Sequence, residues 1–490
     1  MRSRVLLIDP PYDRLIGFKS EWFPLGLTSI ASYLIKRGHD QIAIYHAEHD
    51  SLTSYKSIVH YSENMYKYKE AINSKEHPAW NEVKETINAF KPDIVGISVL
   101  SAKVPSAFRV AKICKDLNQD IKVVFGGHHP TISPEECLSN DNVDFAIRGE
   151  GEFTFNELIH AINNSATDLH AIPGLSFKSE GNIKHNEDRK AIENLDLLPI
   201  PDRSRILHAN TYRPEQFSMI MTSRGCPYKC GFCGSQNMWG RKVRFRSIDS
   251  VIEEIKELRH KYSIKDFIIM DDTFTIKRKR VEEFCSALKK NRINIKWSCL
   301  STVDLISDDI IVLMKQSGCT KLMLGIESGN QRILDFINKK ITLDQIRNAV
   351  NILNRNKMYW TGAFMFGFPT ETEKEMMDTL RFMKELKPNW ANISIFTPYI
   401  GTDLYNICRK KKLINEHVDY SKYTHQSHYI PFSEKIPPER SEALAKYLLK
   451  EFHRYNSSYR LLLKRARIRN YQKNPGLLLH DLKKVITWLK

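Results

Sequence analysis

A stretch of twelve residues near the middle of the chain constrains its structure and chemistry most strongly: Ser223-Arg-Gly-Cys-Pro-Tyr-Lys-Cys-Gly-Phe-Cys-Gly234. Its cysteines, Cys226, Cys230 and Cys233, are separated by three and then two residues. This close spacing lets one loop wrap a small inorganic core, because three thiolates can reach three corners of an iron–sulfur cube. No fourth cysteine follows nearby, so one iron would keep an open coordination position for a substrate or cofactor.

The same three thiols have two simpler interpretations. They could be ordinary buried thiols, or part of a zinc knuckle completed by a distant histidine. Zinc sites usually carry paired ligands separated by a longer loop. The observed spacing therefore favours the iron–sulfur interpretation.

The loop resembles the signature of the radical S-adenosylmethionine (radical SAM) superfamily, a CxxxCxxC pattern with an aromatic residue, here Phe232, before the last cysteine. The resemblance implies that the three cysteines hold a 4Fe-4S cluster and that its remaining iron binds S-adenosylmethionine. It also implies reductive cleavage of S-adenosylmethionine to a 5′-deoxyadenosyl radical. The cofactor then carries the difficult chemistry, and the sequence assigns no catalytic side chain.

Length and composition place this loop in a folded enzyme. A chain of 490 residues allows two or three domains, and its hydrophobic content is 42%. The amino terminus lacks a signal-peptide pattern, and no apolar run is long enough to span a membrane. Nine cysteines without an export signal indicate a reducing cytosol. We therefore expect a cytoplasmic protein without a disulfide framework.

Residues 1–150 alternate between short apolar runs and helical patterns. This alternation predicts a doubly wound parallel sheet that is buried on both faces. Ligands of such sheets bind beyond the carboxyl ends of the strands. The predicted strands are Val5–Ile8, Gln41–Tyr45, Asp93–Ser98, Lys122–Phe125 and Asp144–Ile147.

Two strand ends in this region carry a further pattern: Ser98-Val-Leu100 after the third strand and Gly126-Gly127 after the fourth. Paired glycines let a bulky flat ligand approach the backbone, although an ordinary strand-to-helix turn would also explain them. Together the two patterns resemble the cobalamin-binding domain, which is Rossmann-like. The resemblance implies that Ser98, Leu100, Gly126 and Gly127 accommodate the nucleotide tail of cobalamin. Gly149-Glu-Gly-Glu152 resembles the GEGE stretch of fused cobalamin-binding radical enzymes.

The usual DxHxxG motif is absent after the first strand, where this chain reads Asp9-Pro-Pro-Tyr-Asp-Arg-Leu-Ile-Gly17. The resemblance therefore implies that cobalt lacks an imidazole ligand from this loop. We expect four other histidines near strand ends to be loop or surface residues and not cobalt ligands: His46, His49, His128 and His129.

Residues 151–212 are predicted to be a linker with a hairpin. A helix is expected at 153–162 and a hairpin turn at Glu180-Gly-Asn182. The proline-rich stretch from Leu195 to Arg203 is expected to be extended. The boundary of the second domain then falls just before the cysteine loop.

Strand and helix patterns resume in residues 213–402, which are predicted to form a partial (β/α)6 radical SAM barrel. Functional residues of barrels concentrate at the carboxyl ends of strands. Asp272, Glu327 and Gly367 follow three predicted strands, and with Phe232 they resemble the family's S-adenosylmethionine contacts. Asp271 is the weaker candidate of its pair, since it could simply cap the next helix. The predicted strands are Phe217–Met221, Phe267–Met270, Ile295–Leu300, Lys321–Gly325, Thr361–Phe366 and Asn392–Phe396.

Residues 403–490 are predicted to form a basic helical region. The last part, 439–490, holds 13 Lys or Arg and 4 Asp or Glu within a chain of net charge +17. Basic residues flank apolar clusters at 447–452, 461–463, 477–479 and 485–489. The region could therefore pack on the barrel or lie on a membrane surface. Nucleic acid is a less favoured partner.

The chain up to about residue 400 resembles cobalamin-binding radical SAM enzymes, many of which are methyltransferases. The resemblance implies methylation of an unactivated carbon of a small or lipid-like metabolite, with electrons from an external low-potential donor of the flavodoxin or ferredoxin type. Cobalamin-linked cyclisation, as in tetrapyrrole cyclases, or rearrangement remains an alternative. A non-catalytic cobalamin sensor with a nucleic-acid-binding tail is another. For the enzyme we expect the four cobalamin residues to lie across an open cavity from the three cysteines.

Overall fold

The computed structural model describes residues 3–18, 22–49, 64–164, 168–415, 418–420, 423, 429–458 and 461. Two sheets organise these residues, and each is the core of one half of the chain. No helix within the described ranges is long and apolar enough to cross a membrane.

The first sheet has seven strands in the order β2-β1-β3-β4-β5-β6-β7. The first five strands are parallel, as predicted, and the last two are antiparallel. The order reverses between β1 and β3, which creates the switch point where such sheets bind ligands. The strands are β1 (Val5–Asp9), β2 (Ile42–His46), β3 (Ile94–Ser98), β4 (Lys122–Gly126), β5 (Phe145–Ile147), β6 (Leu175–Ser179) and β7 (Asn182–His185).

Helices cover this sheet closely. An added Cβ at Gly96 in β3 would lie 2.8 Å from Leu7 Cδ2 and 2.9 Å from Phe155 Cε1. Glycine is therefore needed for Phe155 to pack on the strand, since overpacking a core costs about 1–3 kcal/mol. The helices are α1 (Leu25–Lys36), α2 (Met65–Asn73), α3 (Pro78–Phe90), α4 (Val104–Leu117), α5 (His128–Ile132), α6 (Pro134–Leu138) and α7 (Gly151–Asn163).

The predicted hairpin is present and belongs to the first sheet. Glu180 and Gly181 both have positive φ angles, of 52° and 74°, as a two-residue hairpin turn requires. Strand β6 pairs with β5, so the hairpin extends the parallel sheet at its edge. The segment 151–212 therefore contributes a helix and two strands to the first half of the molecule as well as the connection to the second half.

The second sheet has six parallel strands in the order β15-β14-β13-β12-β11-β8. Among the described residues, β8 and β15 pair with no further strand and leave the barrel open, which confirms the predicted partial (β/α)6 barrel. A separate two-stranded ribbon flanks the cysteine loop. The strands are β8 (Met219–Ile220), β9 (Ser223–Arg224), β10 (Arg244–Phe245), β11 (Asp266–Ile269), β12 (Lys296–Ser301), β13 (Cys319–Glu327), β14 (Tyr359–Phe366) and β15 (Trp390–Ile395).

The helices of the second half alternate with these strands. Each barrel strand except the last is followed by at least one helix before the next barrel strand, which is the pattern that a parallel barrel needs. The helices are α8 (Ser235–Trp239), α9 (Ile248–Tyr262), α10 (Arg278–Lys290), α11 (Asp308–Gln316), α12 (Gln331–Phe336), α13 (Leu343–Arg355), α14 (Glu373–Leu386), α15 (Asp403–Lys410) and α16 (Pro438–Asn456).

Helix α16 covers the open edge at β15. The side chain of Asn456 accepts from the Ala391 amide at 2.9 Å and donates to the Ala391 carbonyl at 2.8 Å. Phe452 packs edge-on against Phe364 and Phe366. The described part of the basic carboxyl-terminal region therefore packs on the barrel, whereas the predicted apolar clusters at 477–479 and 485–489 lie outside the described residues.

Candidate active site between the two sheets

The cysteine loop leaves the barrel through the β9/β10 ribbon, in which Arg224 pairs with Arg244. Gly225 stands at the neck of the loop with φ +100°, and a Cβ there would lie 2.5 Å from the Lys242 carbonyl oxygen. Only glycine fits a left-handed position this close to another backbone segment. The ribbon therefore holds the loop closed at its base.

Three hydrogen bonds fix the far side of the loop. The Gly231 amide donates to the Ile337 carbonyl at 2.9 Å, and the Gly231 carbonyl accepts from the Leu404 amide at 2.9 Å. The Asn338 side chain donates to the Lys229 carbonyl at 2.7 Å. The residue after α12 and the first turn of α15 thus set the loop's orientation on the barrel.

The three cysteines are free thiols at half-buried positions. Burial raises the pKa of Cys230, and it raises the pKa of Cys233 to about 11. Their thiolates therefore need a nearby positive charge, which a bound metal centre provides. The described residues contain no group of three His, Cys, Asp or Glu side chains arranged around one metal ion. The donor set fits an iron–sulfur cluster, in which each thiolate binds its own iron.

Two aspartates follow β11, and they have different surroundings. Asp271 is buried and accepts hydrogen bonds from the amides and hydroxyls of Thr222 and Ser223. It therefore fixes the chain just ahead of the cysteine loop and does not cap the next helix, whose N-cap is Thr273. Asp272 is exposed and accepts a hydrogen bond from the Ser235 hydroxyl at the start of α8.

Glu327 ends β13 in a left-handed conformation with φ +65°, at a shift in the strand register. Its carboxylate accepts a 3.0 Å bond from the buried ammonium of Lys339. A Cβ at Gly325 would lie 2.5 Å from this carboxylate, so glycine makes room for the pair. Burial lowers the pKa of Lys339, but Glu327, Cys230 and Cys233 together leave it raised. Sequence analysis missed Lys339, because no pattern distinguishes a buried lysine from an exposed one.

Gly367 follows β14 with φ +85°, and a Cβ there would lie 2.7 Å from Ile430 Cγ2. The amides of Gly367 and Phe368 donate to the buried carboxyl group of Glu371 at 2.7 and 3.2 Å. Burial raises the pKa of Glu371 to about 8, since these two amides and distant Arg332 compensate only in part. The role of Glu371 was also missed, although it lies only four residues after Gly367, in Gly367-Phe-Pro-Thr-Glu371.

The ring of Phe232 lies 6.2 Å from that of Phe368. The structure thus brings the cysteine loop and the end of β14 together, as expected for Phe232 and Gly367. Asp272 follows β11 and Glu327 ends β13, so both stand at carboxyl ends of barrel strands, with β12 between them. Their contacts with S-adenosylmethionine remain predictions.

A cavity of about 290 Å³ lies between the two sheets. Three of the four predicted cobalamin residues line it, namely Ser98, Gly126 and Gly127. A Cβ at Gly126 would meet no atom within 4 Å, so the missing side chain is empty space facing the cavity. The opposite wall consists of residues from the second half of the chain: Met221, Arg224, Met238, Trp239 and Arg246.

The cavity fits part of a cobalamin. Its volume lies near the lower end for small-molecule sites, which suits the nucleotide arm and not the whole macrocycle. Paired glycines and mostly apolar walls let the flat base of the nucleotide arm approach the backbone closely. Binding of cobalamin by these residues remains a prediction.

Two parts of the predicted arrangement differ in the structure. Leu100 is 47% exposed and is not among the lining residues, because the chain turns outward after Val99. The three cysteines do not line the cavity either; Arg224 ahead of them and α8 after them do. The expectation that the thiols themselves lie across the cavity from the cobalamin residues was therefore wrong, because residues on either side of the cysteines form that wall.

The end of β1, where DxHxxG is absent, is closed by charged groups. Asp9 pairs with Lys103 at 2.8 Å and with His46 at 3.3 Å, and Lys103 pairs with Glu48 at 3.1 Å. Burial would raise the pKa of Asp9, but Lys103 and His46 hold it at about 2.

The expectation of loop or surface positions was wrong for His46, which is buried in β2, and for His129, which is buried in α5. His49 stacks on Tyr212 with ring centroids 3.7 Å apart, and the buried His129 lies 3.2 Å from the Ser101 hydroxyl. Among the four histidines, His128 alone lines the described cavity. Burial lowers its pKa, although Asp272 opposes the shift.

Comparisons with known proteins agree with this arrangement. A family profile described as "Radical SAM superfamily" matches residues 220–383, and one described as "B12 binding domain" matches residues 14–159. The chain is 33% identical over 471 residues to an uncharacterized methyltransferase, PH0819, of Pyrococcus horikoshii, with 94% of each chain covered. It is 28% identical over 431 residues to the anaerobic magnesium-protoporphyrin IX monomethyl ester cyclase of Rubrivivax gelatinosus, covering 86% of this chain and 72% of that protein.

A solved structure shows the same fold. It is the radical S-adenosylmethionine methyltransferase TsrM from Kitasatospora setae with cobalamin and a [4Fe-4S] cluster bound. The TM-score is 0.68 with 15% sequence identity, and 91% of each chain is covered. The order of the two halves is therefore shared over nearly the whole length.

Proposed function

This chain belongs to the cobalamin-dependent radical SAM methyltransferase family, and we propose that it transfers a methyl group to an unactivated carbon of a small or lipid-like metabolite. Its cofactors are a 4Fe-4S cluster, S-adenosylmethionine and cobalamin. The observation that carries the proposal is the shared cavity, because residues of the GG motif line one wall and residues flanking the cysteine loop line the other. Family membership also removes the interpretation of the chain as a non-catalytic sensor.

When bound, the cluster and cobalamin supply hydrogen-atom abstraction from a carbon and delivery of a methyl group to it. The protein's part is to hold and separate the reactants. Cys226, Cys230 and Cys233 would hold the cluster, and Ser98 with Gly126 and Gly127 would hold the nucleotide arm of cobalamin.

The barrel mouth offers a second set of contacts for S-adenosylmethionine. Lys339 fixes the carboxylate of Glu327, which can accept hydrogen bonds from the amino group of S-adenosylmethionine. The left-handed turn at Gly367, held by Glu371, brings backbone close to Phe232, where a flat adenine would fit. Asp272 stands beside α8 and is a further predicted contact for S-adenosylmethionine.

Apolar walls serve the chemistry by excluding water. A carbon radical attacks most C–H bonds near it, so the reaction needs a dry chamber and one positioned substrate hydrogen. Met221, Met238 and Trp239 line the barrel side of the cavity, and Leu198 and Pro199 of the connecting segment add a further apolar edge.

The proposal is tested by loading the protein anaerobically with iron, sulfide and hydroxocobalamin and adding a reductant, S-adenosylmethionine and cell extract. Mass spectrometry should detect 5′-deoxyadenosine and a product heavier by one methylene unit, with two S-adenosylmethionines consumed per product. The variant with all three loop cysteines replaced by alanine is the control and should form neither. A product without added mass contradicts methylation.

Cyclisation is the second candidate, because a related chain at 28% identity is an anaerobic cyclase. It differs from methylation in the mass balance. Formation of 5′-deoxyadenosine with a product that has lost hydrogen and gained no methyl group would favour it.

We also propose that the electron donor is an acidic flavodoxin- or ferredoxin-type protein that docks on the outer face of the loop. The inner face is covered by the first half of the chain, whereas Lys229, between two of the cysteines, is exposed. The exposed Lys340 lies two residues after Asn338, whose side chain contacts the Lys229 carbonyl. Complementary charge speeds such weak encounters and makes them salt-dependent.

This docking site can be separated from the chemistry. Lys229→Glu should slow S-adenosylmethionine cleavage driven by reduced flavodoxin by about tenfold and leave cleavage driven by dithionite unchanged. The exposed Lys84 on α3 provides a matched control, Lys84→Glu. Equal slowing with both reductants would contradict the proposed surface.

We place the protein in the cytoplasm. Peripheral membrane contact would depend on residues 462–490, where basic and apolar residues alternate. Equal recovery of the full chain and a chain ending at residue 461 with sedimented liposomes would rule that contact out.

A further inference from the structure

A buried group of four charged side chains joins the cysteine loop to the first half of the molecule. Arg224, two residues ahead of Cys226, donates from one terminal nitrogen to Glu150 and from the other to Glu152, the latter at 2.6 Å. Its guanidinium carbon lies 5.0 Å from the ring centre of Trp239. The side chains of Arg224, Glu150 and Glu152 are exposed by 9%, 3% and 4%.

Glu150 also reaches the second strand of the ribbon. Its other carboxylate oxygen accepts a 2.6 Å bond from Arg244, which is paired with Arg224 across β9 and β10. Arg244 donates in turn to the Trp239 carbonyl at 3.1 Å, at the end of α8. One glutamate of the first half therefore holds the points where the cysteine loop leaves the ribbon and returns to it.

The same group faces the inter-sheet cavity. Glu150, Glu152 and Arg224 line the cavity beside Ser98 and Gly126. A second contact also joins the two halves of the molecule here. The hydroxyl of Thr131 on α5 lies 3.7 Å from the sulfur of Met238 on α8. A molecule that fills the cavity thus touches the side chains that position the loop.

We propose that Arg224 is a positioning residue that couples occupancy of the cavity by cobalamin to the conformation of the cysteine loop. The inference rests on the proposed function only in taking cobalamin as the occupant. A guanidinium holds two carboxylates in fixed geometry, whereas a lysine ammonium cannot do so with the same precision. Since coupling between two sites is reciprocal, cobalamin steadies the loop and the loaded loop tightens cobalamin binding.

Amide hydrogen exchange of residues 225–240 tests this coupling. The protein is loaded with its cluster anaerobically and measured with and without hydroxocobalamin, with no substrate present. Cobalamin should slow exchange in the loop of the natural chain by about tenfold and in Arg224→Lys by less than about twofold. Full slowing in Arg224→Lys, or no slowing in the natural chain, overturns the inference.

Two further variants test whether the loss of slowing is specific to the contacts of Arg224 or follows any substitution in a buried ion pair. Arg203 makes an equally buried pair with Glu254 at 2.6 Å but does not contact Glu150 or Glu152, so Arg203→Lys should keep the tenfold slowing. Glu152→Gln retains the shape of the side chain and removes one charge, and it should reduce the slowing to about threefold. Full slowing in Glu152→Gln, or its loss in Arg203→Lys, counts against the coupling.

The exchange result and the proposed function can fail separately. Slowed exchange without any methylated product would leave the coupling intact and refute the methyltransferase assignment. A methylated product from a protein whose loop exchange ignores cobalamin would refute the coupling alone.

Discussion

The cysteine loop and the cavity beside it are built in opposite ways. The loop draws its three ligands from eight consecutive residues, 226–233, although hydrogen bonds to Ile337, Asn338 and Leu404 of the barrel fix its backbone. The cavity draws its walls from residues as far apart as Leu7 and Arg246. A local site fails completely when one ligand is lost, whereas a wall assembled from many elements weakens by degrees. Substitutions on the two sides should therefore differ in size and in kind.

The largest effect should come from Cys230→Ala. Without one of three ligands the cluster loses its anchor, so iron-linked absorbance and 5′-deoxyadenosine formation should fall below detection. Iron analysis and mass spectrometry of anaerobic protein measure this. The control is Cys137→Ala, a buried thiol outside the motif, which should keep its iron. Normal turnover by Cys230→Ala would refute a local cluster site.

The next largest effect should come from Lys339→Met, which leaves the buried Glu327 carboxylate without its partner. Breaking a buried ion pair costs about 3–5 kcal/mol of unfolding free energy, and the Kd for S-adenosylmethionine should rise at least about tenfold. Urea unfolding and calorimetric titration measure the two quantities. The neighbouring exposed residue gives the control, Lys340→Met, which should change stability by less than about 0.5 kcal/mol. Equal changes in unfolding free energy and Kd for the two variants would show that the pairing of Lys339 with Glu327 is not required.

Glu371 should make the barrel side sensitive to pH. Its pKa in the folded protein is about 8, above the ordinary 4.5, so the folded state holds the proton more tightly and the unfolding free energy falls as pH rises between these values. From pH 6 to pH 8 the natural chain should lose about 2–3 kcal/mol more than Glu371→Gln.

Unfolding curves at the two pH values test this prediction. Glu375→Gln is the control, because Arg332 holds the pKa of Glu375 at about 2 and its charge is constant in this window. Parallel pH dependence of the natural chain and Glu371→Gln would show that Glu371 is ionised at pH 6.

The smallest effect should come from the cavity wall. Gly126→Val adds atoms where a Cβ meets nothing within 4 Å, so the fold should tolerate it while the Kd for hydroxocobalamin rises about tenfold. S-adenosylmethionine cleavage should persist. Leu100→Ala is the matched control, since Leu100 is 47% exposed and outside the lining, and it should change the Kd by less than about twofold. A larger increase in the Kd for Leu100→Ala would support the prediction from sequence that Leu100 contacts cobalamin.

The sequence was sufficient for the features that depend on neighbours along the chain. The cysteine spacing, the parallel strands and the turn at Glu180 and Gly181 are local patterns, and the structure has them where they were predicted. The sequence did not predict that the hairpin lies at the edge of the first sheet, because the sequence pattern of a hairpin is the same in a linker and in a sheet.

Features that depend on distant residues escaped prediction. Lys339 is a candidate site residue because it is buried beside Glu327. The carboxyl group of Glu371 is one because it is buried against two backbone amides. Leu100 follows Ser98 by two residues, but the outward turn of the chain separates it from the cavity. In each case the missing information is the spatial position of a side chain and not its type.

The central claim is that the cysteine loop lies directly beside the cavity that is proposed to hold cobalamin, so that a cluster and cobalamin bound at these two sites are close neighbours. Electron paramagnetic resonance of the anaerobic protein carrying both the reduced cluster and Co(II) cobalamin tests it most directly. We expect a magnetic interaction that broadens both signals and disappears in the triple cysteine variant. A spectrum equal to the sum of the two isolated signals would contradict the claim.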